Sequence, residues 1–141
     1  MKNPKIFIQQ CGSYTNEVLV ICGATKSETL KFLRKNKAKF EIAKWVLGDF
    51  DKWKERVSGV GGGLYCFNDV HHGHVLFLHK VDAKGNGSWI FWEAVMHEIH
   101  HLVLHISKLK SFQDEWENQA YLFDYLFRNI RRKIQGVDKI A

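Results

Sequence analysis

Proline occurs once in this 141-residue chain, at Pro4, so a proline-rich linker or polyproline ligand is excluded. Cysteine is almost as scarce. Its three copies, Cys11, Cys22 and Cys66, are odd in number and widely spaced. That pattern excludes a disulfide framework and a Cys-x-x-Cys metal knuckle, and the three read as free thiols, Cys22 inside a buried strand. No apolar run approaches the roughly 18 residues that a membrane-spanning helix needs. The opening "MKNPKIFIQQCG" lacks a long apolar segment and a small-residue cleavage site, so the expectation is a cytoplasmic protein with no membrane partner. No repeat or low-complexity tract is present.

What the chain does have is apolar mass. Apolar residues make up 45% and aromatics 13%, with five tryptophans, which describes a packed core rather than a disordered chain. The length suits a single domain over residues 1–141. A net charge of +6 raises the question of nucleic acid. The positive residues are dispersed through "KSETLKFLRKNKAKF", "DKWKERV" and "RNIRRKI", beside acidic neighbours on expected helices and without a nucleic-acid-binding signature. Solvated helix faces account for them, and nucleic acid is not the expected partner.

"KIFIQQ" and "EVLVIC" read as strands around the turn "CGSYTN". A helix follows in "GATKSETLKFLRKN", capped by Thr25 or Ser27. From Ala38 to Val57 the spacing is helical, with Val46, Phe50, Trp53 and Val57 on one stripe and Gly48 as a potential break. After "SGVGGG", the segments "GLYCFN" and "HVLFLHK" form a hairpin joined by the polar "DVHHG". Ser88 is placed to cap the next helix, and a last helix spans Asp114 to Ile134 with Trp116, Ala120, Phe123, Phe127, Ile130 and Ile134 facing the core. The fold class expected is α+β, with a short, mostly antiparallel sheet and two long C-terminal helices.

The chemistry concentrates in "VMHEIHHLVLH", residues 95 to 105. In a helix, residues four apart lie nearly above one another, so His97, His101 and His105 share a face. His105 is about 12 Å along the axis from His97, too far to share an ion, and His100 points about 100° away from His101. His97 and His101 are therefore the pair able to grip one metal. Glu98 completes His-Glu-x-x-His, the arrangement of two imidazoles for zinc and a carboxylate base beside them. A third ligand must come from another element. "SFQDEWENQAYLFDYL" offers Asp114, Glu115, Glu117 and Asp124; Glu117 borders the apolar stripe at small Ala120, and Glu115 points away from it.

"HEIHH", followed sixteen residues after its last histidine by "ENQAYLFDYL", resembles the gluzincin type of zinc peptidase, His-Glu-x-x-His with a Glu-x-x-Ala ligand helix. The chain looks most like short metallopeptidase-like proteins of phages and mobile elements, and more distantly like the ImmA/IrrE metallopeptidases, over about residues 63 to 130. The resemblance implies a small zincin-like domain holding one zinc ion through His97, His101 and Glu117, with Glu98 catalytic and a peptide or protein as substrate. It implies a substrate-binding edge at "HVLFLHK". The position four after the ligand glutamate, an aspartate in larger gluzincins, is Tyr121, which either donates a hydrogen bond to the oxyanion or packs. His71, His72 and His74 read as a polar hairpin tip, with lining of the cleft or a second ion as the alternatives. The rival to a peptidase is an inactive zincin scaffold with a structural or interaction role, for instance in a phage particle.

Overall fold

The computed structural model describes residues 6–12, 14–57, 62–70, 73–78, 89–110 and 115–136. Strands β1 (Ile6–Cys11) and β2 (Tyr14–Cys22) form an antiparallel hairpin in register from Ile6 opposite Ile21 to Gln10 opposite Glu17. Gly12 turns the chain at φ +64°, a left-handed conformation that an L side chain resists. Val18, Leu19, Val20 and Ile21 are all buried, as a strand covered on both faces requires. Helix α1 (Lys26–Lys35) starts at Thr25 rather than Ser27. The Thr25 hydroxyl accepts from the Glu28 N–H at 3.1 Å, and the Glu28 carboxylate accepts from the Thr25 N–H at 2.9 Å, a reciprocal capping box.

Helix α2 (Phe40–Val57) is continuous and buries the expected Val46, Phe50, Trp53 and Val57. Gly48 does not divide it; a Cβ there would meet open space, so the glycine lies on the outer face. Strands β3 (Gly63–Asn68) and β4 (Gly73–Leu78) make the second hairpin, and β4 also runs parallel to β2 from His74 beside Val18 to Leu78 beside Cys22. The sheet order is β1-β2-β4-β3. β4 is thus an interior strand, and the expectation that "HVLFLHK" offers a substrate edge is overturned. Val75, Leu76, Phe77 and Leu78 are each buried, which suits a strand with neighbours on both sides, whereas every residue of β3 is half-buried.

Helices cover both faces of the sheet. α1 and α2 pack on Leu19, Ile21, Val75 and Phe77, where Phe50 meets Phe77 edge-on at 5.1 Å between ring centres. On the other face, α3 (Trp89–Leu109) and α4 (Trp116–Ile134) pack on Val18, Val20, Leu76 and Leu78. α3 contributes Val95, Ile99, Leu102, Val103 and Ile106 to this core. α4 contributes Leu122, Leu126, Ile130 and Ile134, a stripe rotated from the one expected: Trp116 is 81% exposed and Ala120 is exposed, while Phe123 and Phe127 are half-buried at its margin. The described part of the chain is α+β, four helices around a four-stranded, mostly antiparallel sheet. Among the described residues no helix is long and apolar enough to cross a membrane. Ser88, Asp114, His71 and His72 lie outside the described residues.

Two substitutions separate local from tertiary stabilisation. Ile99→Ala, at a fully buried position of α3, is expected to cost about 2–5 kcal/mol in urea unfolding. Thr25→Ala should cost about 1 kcal/mol through the lost cap. A loss at Ile99 no larger than that at Thr25 would contradict the packing of α3 on the sheet.

Candidate metal centre

Because α3 buries one stripe, the directions of its polar side chains follow. The stripe Val95, Ile99, Leu102 and Ile106 faces the sheet, and at about 100° per residue His97 and His101 fall on the opposite side of the helix. The side chain of His97 is accordingly 70% exposed and His101 is exposed. Their Nε2 atoms converge to 3.1 Å. Glu98 lies on the flank toward β3, with its side chain only 12% exposed and Oε2 3.7 Å from His97 Nε2. Among the described residues His97, Glu98 and His101 form the group of side chains able to hold a metal ion, their ligand atoms within 4.8 Å of one another.

Glu98 is held from the sheet. The Tyr65 N–H donates to Oε1 at 2.7 Å, a charge-assisted bond to a group on the edge strand. Gly63 lies beside this contact: a Cβ there would stand 2.8 Å from a methyl of buried Leu78, too close without a shift, and 3.4 Å from Glu98 Cγ.

On the other flank, His100 is exposed and turned toward α4, its ring 6.4 Å from that of Phe123. Glu93, Met96, His97, His100, His101, Leu104 and Phe123 line an open recess of about 670 Å³. A neighbouring recess of about 280 Å³ shares His100, Leu104 and Phe123 and adds Trp116, Ala120 and Asp124 of α4. Glu117, in the first turn of α4, is exposed and does not join the His97–Glu98–His101 group. Tyr121 is 65% exposed and lines neither recess. Of the residues singled out from sequence, His97, Glu98 and His101 are brought together; Glu117 and Tyr121 stand apart on α4.

His105 departs from the face assigned to it. Eight residues beyond His97 the helix has turned about 80° past two full turns, which carries His105 to the Glu98 flank. Its Nδ1 lies 3.1 Å from the Tyr65 hydroxyl, and its ring is 4.0 Å from that of Phe67. His74 is not part of a hairpin tip: it is buried in β4, with Nδ1 2.8 Å from the same hydroxyl and Nε2 3.1 Å from Asn16 Nδ2. The Asn16 amide nitrogen can only donate, so His74 Nε2 accepts and His74 Nδ1 carries the proton. His74 then donates to Tyr65, and Tyr65 donates to His105. Burial pushes the Tyr65 hydroxyl above its usual range, keeping it a neutral donor, and burial lowers the pKa of His105, with Lys108 adding to the effect. Burial also pushes the Cys11 and Cys66 thiols up to about 12, so both stay protonated near neutral pH. Tyr65, Gly63 and Asn16 carried no sequence signal, since each acts through a contact made by strand pairing or helix docking.

Compared with known proteins, the chain matches no family model, no curated protein and no solved structure.

Proposed function

We propose that the chain is a zinc-dependent peptidase in which His97 and His101 hold one zinc ion and Glu98 is the general base. The observation that carries this reading is the convergence of the two Nε2 atoms at 3.1 Å with a carboxylate beside them. Two nitrogens bound tetrahedrally at 2.0–2.1 Å would stand about 3.3 Å apart, so the pair fits a shared ion with little rearrangement. The proposed third ligand is Glu117. Ala120 and Asp124, about one and two turns further along α4, line the recess shared with His100, which supports a ligand reaching the histidine pair from this helix.

When bound, zinc supplies polarisation of a scissile carbonyl and acidification of water. The chain's own residues do the rest. Glu98, with Oε1 occupied by the Tyr65 N–H, has Oε2 turned to the side of His97, where it takes a proton from the attacking water and returns it to the leaving amine. The apolar Met96, Leu104 and Phe123 in the recess around the histidine pair suit a side chain of a peptide substrate. The proposed role of Tyr121 is a hydrogen bond to the oxyanion; its exposure leaves the hydroxyl accessible from solvent.

Titration with zinc should give one site per chain in the parent. His97→Ala and His101→Ala should abolish it, and Glu117→Ala should weaken it strongly. His100→Ala and His105→Ala should keep the parental stoichiometry. Full occupancy in Glu117→Ala would remove that residue from the ligand set.

Glu98→Gln separates a peptidase from an inactive scaffold. The substitution keeps size and shape but removes the proton acceptor, so zinc content should hold while cleavage of a peptide library falls by about 10²- to 10⁴-fold. Equal cleavage by zinc-loaded parent and variant would end the peptidase reading.

A further inference from the structure

Tyr65 touches α3 at two points. Its N–H donates to Glu98 Oε1 at 2.7 Å, and its hydroxyl meets His105 Nδ1 at 3.1 Å. These partners are seven residues apart, which is about two turns and about 10 Å along the helix axis. One contact would let the helix roll or slide about it; two contacts separated along the axis oppose both motions. The hydroxyl is itself held from behind, by His74 at 2.8 Å, which in turn accepts from Asn16 at 3.1 Å. Phe67 closes over both imidazoles, 4.9 Å from the His74 ring and 4.0 Å from the His105 ring.

Docking a helix on a sheet needs apolar contact, which α3 already has. The Glu98 side chain, only 12% exposed, has little water around it, and the partner it takes for Oε1 is an edge-strand N–H. We propose that Tyr65 is the positioning residue for Glu98: its N–H fixes one carboxylate oxygen, and its hydroxyl, through His105, fixes the helix on which Glu98 rides. The proposal rests on the reading of Glu98 as general base. A carboxylate with both oxygens free would turn about its terminal bonds among several orientations. With Oε1 held, fewer orientations remain for Oε2, which lies on the side of His97 at 3.7 Å. Misplacement of a reacting group by about 1 Å can cost about 10² in rate, so such a hold has a kinetic consequence.

The test removes each contact of Tyr65 separately. Replacing Tyr65 by its α-hydroxy acid converts the bond between Leu64 and Tyr65 to an ester, which deletes the N–H and keeps the side chain. Tyr65→Phe deletes the hydroxyl and keeps the N–H. In zinc-loaded protein the ester should lower kcat by about 10- to 100-fold, with zinc content unchanged and KM within about twofold. Tyr65→Phe should lower kcat by a smaller factor of the same kind. A second readout does not depend on turnover: hydrogen exchange of the Tyr65 amide, followed by NMR, should be slow in the parent and at least about tenfold faster in Glu98→Ala, with Leu64 and Cys66 unaffected. Parental kcat in the ester form overturns the proposal, as does Tyr65 exchange that is indifferent to Glu98→Ala. If the ester form does not fold, the exchange measurement still decides. A zinc-loaded parent without any peptide cleavage would remove the peptidase reading, and the exchange rates would then judge the hold on Glu98 separately.

Discussion

The burial of one stripe of α3 against the sheet governs the arrangement of everything polar around it. Val95, Ile99, Leu102 and Ile106 are fully buried on Val18, Val20, Leu76 and Leu78, and a helix with that much apolar surface committed to one side has one favourable rotation. With the rotation set, the histidine pair faces away from the sheet, Glu98 faces the edge strand and His100 faces α4. The polar residues occupy positions left by the core. Turning the helix by even one residue's angle would bury imidazole in an apolar layer without partners, at a cost of a few kcal/mol.

The second ordering element is polar. Asn16, His74, Tyr65 and His105 form a chain of hydrogen bonds from β2 through β4 and β3 to α3, partly buried along its length. The donor-only amide nitrogen of Asn16 gives the chain one direction. It joins three strands and the motif helix in one network, and Tyr65 is where that network meets the carboxylate of Glu98. The buried stripe sets the rotation of α3, and the network and the Glu98 contact hold its register along β3.

Much of this was legible in the sequence because it is local. The two hairpins, a cap at Thr25 or Ser27, the α2 stripe and the His97–His101 pair follow from turn residues, capping chemistry and the helical period, and the structure selects Thr25. What depended on contacts distant in sequence was not legible. The period alone could not tell that β4 inserts between β2 and β3, because an apolar run fits an interior strand and a covered edge alike. In α4 two apolar stripes were available, and docking selected Leu122 and Leu126 over Trp116 and Ala120. Four residues overshoot a whole turn by about 40°, an offset small after one step and large after two, which carries His105 off the face of His97. Tyr65 met Glu98 across 33 residues, through pairing that no spacing announces.

The proposed zinc site stands on α3, where His97 and His101 converge beside Glu98. X-ray absorption at the zinc edge, on protein loaded with one equivalent, reads the donors directly. Two imidazole nitrogens at about 2.0–2.1 Å are expected, with oxygen donors completing the shell and no sulfur. A shell containing sulfur at about 2.3 Å, or a single imidazole, would contradict it.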